Sequence, residues 1–322
     1  MSIISPAQAF TVNAIFDSSV TSAANAATIE AAFNTAAAVY TSAFGNPVTV
    51  NIQVGWGEVG GTPLPSNYAA ASQVSLAGFW SYAQVRGYLA PYVSLPATQT
   101  GPRYFAMARA EAKALGLAAA QSTLNDGSVG FNSSLSYFFT QGGSNAGYDF
   151  VGLAEHEIAE VLGRNSSINP TGGNSFYQKP VDLFRYSAPG KQDYSATDAT
   201  YFSLDAGVTN LGWWDYAADG GDRSDWLTGS YPGDVQNAYV YPGATSIAPA
   251  DIALLGALGW AGTVSHPLVI SGIAIGITSG GSALPIASDD IDAVLLPEPP
   301  ASMILAIGLT GLALVRRRRV NS

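Results

Sequence analysis

The chain has 322 residues, a net charge of −10 and 48% hydrophobic residues, so it is long enough to bury a sizeable core. It has no cysteine, which excludes disulfide bonds and cysteine metal ligands. Its acidic balance argues against a nucleic-acid partner, because such a partner needs a basic surface.

Strands and helices are predicted to alternate along the N-terminal part of the chain. Apolar and polar side chains alternate in three stretches, which predicts strands at residues 10–16, 48–54 and 128–139. An alanine-rich stretch predicts a helix at residues 23–44, and further helices are predicted at 74–88 and at 103–117, the latter rich in good helix formers. This order, with a further helix after the third strand, is typical of a domain that combines a sheet with helices.

That further helix is predicted at residues 152–164, which read GLAEHEIAEVLGR and carry the main functional motif. Its apolar residues recur at helical spacing. His156 and Glu160 are four residues apart and therefore project from the same face, with Glu157 beside them. This arrangement favours a helix that offers two metal ligands next to a general base.

A less specific interpretation treats Glu160 and Arg164 as an ordinary surface ion pair, worth about 0.3–0.5 kcal/mol. The scarcity of charge weighs against it. Charged residues make up only 11% of the chain, yet three glutamates surround His156 on one apolar helix.

The motif His156-Glu157-x-x-Glu160-x-x-Gly163 resembles the HExxHxxG helix of zinc peptidases of the metzincin type, with Glu160 in place of the second histidine. The resemblance implies that His156 is a zinc ligand and that Glu157 activates water. It also implies that Gly163 lets the chain turn toward a third ligand. In metzincins that ligand would fall at Ser166, whose hydroxyl is a poor zinc ligand.

A second segment, DLFRYSAPG at residues 182–190, resembles the turn beneath the metal in those enzymes, with Phe184 where methionine is usual. Similar forms of both motifs occur in a group of secreted bacterial metalloproteases. The resemblance to these proteins covers roughly residues 10–262 of this chain. The resemblance implies an α+β fold with a zincin-like mixed sheet, an active-site helix and a smaller, loop-rich C-terminal subdomain. Residues 128–139 are then the candidate edge strand of the cleft. Asp182 is the best candidate for the third ligand, although aspartate is also a common cap.

Acidic residues recur in the loop at residues 219–226, where Asp219, Asp222 and Asp225 alternate with glycines and polar residues. Such a loop is compatible with calcium, which takes oxygen ligands in flexible segments. Its spacing is not that of an EF-hand, and an acidic surface turn is the alternative. After this loop, the apolar residues of 251–260 predict a closing helix.

The chain ends in a three-part tail at residues 297–322, after a Gly/Ser-rich spacer at 263–296. An apolar run at 301–315 follows Pro297, Glu298 and Pro299. The arginines that close the run are expected to act as a cytoplasmic membrane stop; they are Arg316, Arg317, Arg318 and Arg319. A plain membrane anchor would have the same pattern.

The order of these three parts resembles the PEP-CTERM sorting signal of Gram-negative bacteria. The resemblance implies a precursor that is held transiently in the inner membrane and cut by an exosortase-type enzyme. The mature protein would then lie on the cell surface or in the extracellular matrix. Such a tail implies an export signal, and residues 1–9, with Ala7-Gln8-Ala9, are interpreted as the possible remnant of one.

The sequence therefore predicts an exported zinc endopeptidase acting on a protein or peptide substrate. His156, Glu160 and Asp182 would hold the metal, and Glu157 would be the general base. Glu160 makes the site more anionic than a second histidine would, which favours a harder ion and weakens the metal's acidifying effect. The alternative is a non-catalytic matrix or adhesion protein on a degenerate peptidase scaffold.

Overall fold

The computed structural model describes residues 9–99, 101–143, 147–168, 177–216 and 221–262, together with the backbone of 267–270, 273–276 and 315–320. The helices are α1 Ser18–Thr21, α2 Ala26–Ala43, α3 Tyr82–Leu89, α4 Arg109–Ala114, α5 Phe150–Val161 and α6 Pro249–Ala257, with a 3₁₀ helix at Pro180–Phe184. The first strands are β1 Thr11–Phe16, β2 Thr49–Trp56, β3 Glu58–Val59, β4 Thr62–Pro63, β5 Tyr68–Val74, β6 Leu76–Ser81, β7 Tyr104–Ala108, β8 Gly127–Phe131, β9 Tyr137–Phe138 and β10 Tyr148–Asp149. The remaining strands are β11 Tyr177–Gln178, β12 Arg185–Ala188, β13 Lys191–Gln192, β14 Tyr201–Phe202, β15 Gly212–Trp213, β16 Tyr239–Val240, β17 Pro267–Ile270, β18 Ile273–Gly276 and β19 Val315–Val320.

The main sheet has the strand order β1-β2-β8-β5-β19-β16. Strands β1, β2 and β8 are parallel, and β5 runs antiparallel to β8. Smaller sheets lie beside it, among them the four-stranded sheet β13-β12-β14-β15. The described residues thus combine helices with sheets of mixed strand direction, which confirms the predicted α+β class.

Helix α5 is the central helix of the core, and every one of its residues is buried. It contacts β5 and β8 on one side and α2 on another. The aromatic ring of Phe150 at its start lies 4.5 Å from that of Phe131, and the Tyr40 hydroxyl of α2 donates a hydrogen bond to the Glu155 carbonyl at 2.7 Å. Each such large buried side chain contributes about 1.5–3 kcal/mol. The position of α5 is therefore fixed by packing along its whole length.

Two predicted helices begin instead as strands. Residues 74–88 form β6 followed by α3, and residues 103–117 form β7 followed by α4. Strands β6 and β7 pair antiparallel, with Trp80 opposite Phe105, so their backbone groups are satisfied by a ladder. Helix α3 begins only where the Ser81 hydroxyl accepts a hydrogen bond from the Gln84 backbone N–H. Helix propensity was overridden here by a tertiary partner.

The prediction of an edge strand at residues 128–139 is wrong. Strand β8 lies inside the sheet between β2 and β5, and the rest of the stretch forms a turn and the short strand β9. The interior position follows from pairing on both edges. At Gly130 a Cβ atom would collide with the Glu58 carbonyl. The small residue allows the β3 segment to lie against the face of β8.

The expectation of a transmembrane segment is corrected. In the described part of the chain, no helix has the length and the apolar character that crossing a membrane requires. The backbone of Val315–Val320, which contains the four tail arginines, forms β19 and pairs antiparallel with β5. The backbone N–H and C=O groups of this extended segment are paired with those of β5 in the antiparallel ladder. The motif at 297–299, the apolar residues 301–314 and residues 1–8 lie outside the described residues.

Candidate metal centre

The predicted functional helix is present as α5, and local interactions fix both of its ends. The Asp149 carboxylate caps its start by accepting a hydrogen bond from the Gly152 N–H at 3.1 Å. After its end, Gly163 has φ +119, and the Arg164 N–H donates to the Ala159 carbonyl at 2.9 Å. A positive φ favours glycine, so Gly163 makes the turn that the sequence motif predicts.

His156 and Glu160 meet a third acidic side chain, that of Asp225. One ligand atom from each of these residues lies within 4.8 Å of the others, and all three residues are buried. Within this cluster His156 Nε2 lies 3.7 Å from Asp225 Oδ1. Among the described residues, this is the cluster whose donor atoms converge closely enough to hold one metal ion.

The tautomer of His156 follows from its other hydrogen bond. Its Nδ1 lies 2.9 Å from the Val235 carbonyl oxygen, which can only accept, so Nδ1 carries the proton. In the neutral ring Nε2 then holds the lone pair that a metal ion would take, and this atom faces the Asp225 carboxylate. Metal-bound histidines commonly donate their second ring N–H to a carbonyl in this way, which orients the ring.

Glu160 is oriented from the neighbouring sheet. The Ser72 hydroxyl of β5 donates to Glu160 Oε2 at 2.5 Å, and both residues are buried. The surface ion pair with Arg164 is therefore excluded as an interpretation, because neither residue is at the surface. Two buried carboxylates beside a neutral imidazole nitrogen leave negative charge that a divalent cation would neutralise, so the donor set fits such an ion.

Asp182, the ligand expected from the sequence, is not a member of this cluster. Its Oδ2 accepts a hydrogen bond from the Lys179 N–H at 3.0 Å, at the start of the 3₁₀ helix, and one from the Ser167 N–H at 3.4 Å. The capping role left open by the sequence is thus confirmed. Phe184 packs in the core with its ring 6.3 Å from that of Phe202, and the Ser166 hydroxyl accepts from the Ile168 N–H.

The sequence placed Asp225 in an acidic loop that was compatible with calcium or with a plain surface turn. In the structure its N–H donates to the Asp222 carbonyl at 3.2 Å and its carboxylate lies beside His156. Asp219 lies outside the described residues, so calcium at this loop stays a prediction. No sequence motif could have linked Asp225 to the helix, because the two segments are far apart along the chain and only folding brings them together.

The candidate general base, Glu157, is the residue after His156 on α5. Its exposed fraction is 1%, equal to that of His156, Glu160 and Asp225. The site is therefore a buried interior in which charge interactions are stronger than at the surface. The same burial raises the pKa of the neighbouring Glu155 to about 7, with smaller contributions from the carboxylates of Asp149 and Asp251.

Replacement of Glu155 by glutamine is expected to change the pH dependence of stability. Between the ordinary pKa of 4.5 and the folded pKa of about 7, the unfolded chain loses this proton while the folded chain keeps it, so stability falls as pH rises. Glu155→Gln should match the wild type near pH 4 and exceed it at pH 8 by at most on the order of 3 kcal/mol. Urea unfolding of metal-free protein at both pH values measures this, and equal wild-type and mutant slopes against pH would contradict it.

Comparison with known proteins does not assign the site. Neither protein-family models nor curated proteins nor solved structures match this chain. The chemistry of the centre is therefore inferred from its donors, their orientation and their burial.

Proposed function

We propose that the protein is a metal-dependent hydrolase that cleaves peptide bonds, and that its metal is held by His156, Glu160 and Asp225. The observation that supports this most is the convergence of these three donors within 4.8 Å, with Glu157 next to His156 on the same helix. The resemblance of residues 156–163 to metzincin-type peptidases supplies the reaction class. A zincin-like arrangement of β1, β2, β8 and β5 over α5 belongs to the same proposal.

Zinc is the metal proposed. One imidazole nitrogen and two carboxylate oxygens form a three-ligand set, and catalytic zinc sites typically combine three protein ligands with one open position for water. A bound zinc ion would supply Lewis acidity and lower the pKa of that water.

The side chains have distinct tasks in this proposal. His156 is held in its ligating tautomer by Val235, and Glu160 is held by Ser72. The Glu157 carboxylate accepts the proton of the attacking water and returns it to the leaving amine. Because the ligands carry two negative charges, the water is acidified less than in a site with three histidines, so more of the rate depends on Glu157.

A second candidate function is favoured by the burial of the site. An exposed fraction of 1% at His156 and Glu157 suits a structural metal that holds α5 to the loop of Asp225, in a non-catalytic matrix or adhesion protein. Such an ion would stabilise the fold without any bond cleavage.

Chelation and reloading distinguish the two functions. The full chain, freed of metal by a chelator and reloaded with zinc, should cleave casein or a quenched peptide library only when zinc is present. The non-catalytic alternative expects chelation to lower the melting temperature, with no cleavage in either state. Cleavage that is unchanged after removal of all metal would contradict both candidates.

A further inference from the structure

The loop at residues 222–237 contributes two groups to the centre. Asp225 brings a carboxylate to His156 Nε2, and the Val235 carbonyl accepts the proton of His156 Nδ1. The two limbs of the loop are joined, because the Trp226 N–H donates to the Gln236 carbonyl at 2.8 Å. Both sides of the imidazole ring are therefore held by one loop, whose placement decides the geometry of the site.

Arg164 joins that loop to the active-site helix. It follows Gly163 at the end of α5, and its Nη1 donates to the Ser224 carbonyl at 2.9 Å and to Gln236 Oε1 at 2.7 Å. Ser224 directly precedes Asp225, and Gln236 directly follows Val235. One guanidinium nitrogen thus contacts both limbs of the loop. It binds next to Asp225 on one limb and next to Val235 on the other.

The surroundings of Arg164 keep the guanidinium in place. Its side chain is fully buried, its Nη2 lies 3.4 Å from Asp251 Oδ1, and its Cζ lies 4.5 Å from the centre of the Trp226 ring. Trp226 Nε1 in turn donates to Asp251 Oδ1 at 2.8 Å. A planar guanidinium that stacks on an aromatic ring and donates in fixed directions is not replaced by the ammonium group of lysine.

We propose that Arg164 is a positioning residue that sets the metal affinity of the centre by fixing Asp225 and Val235 around His156. This inference rests on the metal site of the proposed function, but not on peptide hydrolysis. Loss of groups that orient metal ligands typically weakens affinity by about 10–100-fold, and Arg164→Met should fall in that range. Arg164→Lys keeps a charge without the fork and should give an intermediate loss.

The test is zinc affinity of the full chain, measured by competition with a chromophoric chelator at fixed pH. Lys113→Met is the matched control, because Lys113 is also fully buried and paired with a carboxylate, that of Asp126 at 2.6 Å, but its contacts lie outside this loop. We expect the control to lower the free energy of unfolding while its zinc dissociation constant stays within about twofold of wild type. The visible spectrum of bound Co²⁺ should change in both Arg164 variants and stay unchanged in the control.

A zinc dissociation constant in Arg164→Met that equals that of the wild type or of Lys113→Met would overturn the inference. If Arg164→Met does not fold, Arg164→Lys and Gln236→Leu, which removes one acceptor of the guanidinium, make the same comparison. Weaker zinc binding in these variants, together with a wild type that binds zinc but cleaves no peptide, would support the role of Arg164 and reject the peptidase function. A wild type that binds no zinc would overturn both.

Discussion

Replacement of His156 by alanine is expected to remove the bound metal, because the imidazole is the nitrogen donor of the three-residue cluster. The two carboxylates that remain form an oxygen-only pair, which zinc binds poorly. Elemental analysis after gel filtration should find about one zinc ion per wild-type chain and close to none in His156→Ala. Equal metal in both proteins would reject the centre.

The same measurement distinguishes Asp225, the third ligand indicated by the structure, from Asp182, the third ligand expected from the sequence. Asp225→Asn should lose zinc, since a neutral amide replaces a charged ligand. Asp182→Asn is the matched control and should keep zinc, because the Asp182 carboxylate accepts backbone hydrogen bonds from Ser167 and Lys179. Its stability should fall only slightly, because the amide oxygen of asparagine can still accept both hydrogen bonds. The opposite pattern of metal loss would favour Asp182 as the ligand.

Glu157→Gln is expected to keep the metal and the fold but to lose about 10²–10⁴-fold in peptidase rate, the usual effect of a missing general base. The amide has nearly the same shape as the carboxylate but cannot accept the proton of water. Glu155 is a neighbouring buried glutamate on the same helix, so Glu155→Gln is the control and should retain the wild-type peptidase rate. Wild-type rates in Glu157→Gln would show that Glu157 is not the base.

The local part of the site could be predicted from the sequence. Helical spacing identified α5, the four-residue separation of His156 and Glu160 placed both on one face, and Gly163 marked the turn after the helix. Each of these inferences depends on contacts within a few residues. Helical periodicity and the special backbone freedom of glycine are sufficient to establish them.

The non-local part could not be predicted. The Val235 carbonyl lies 79 residues along the chain from His156, and nothing in either segment indicates that they meet. Asp182 and Asp225 are chemically identical, so only the folded loops decide that one caps a helix and the other joins the metal cluster. The burial of Arg164 could not be predicted either, because periodicity shows which face of a helix is apolar but not what covers the other face.

Crystals of the zinc-loaded protein, measured at the zinc absorption edge, test the metal centre most directly. An anomalous difference map should contain one peak bounded by His156 Nε2, a Glu160 oxygen and an Asp225 oxygen, at distances of about 2.0–2.2 Å. A map without a peak among these three side chains, or with its peak at Asp182, would contradict the centre.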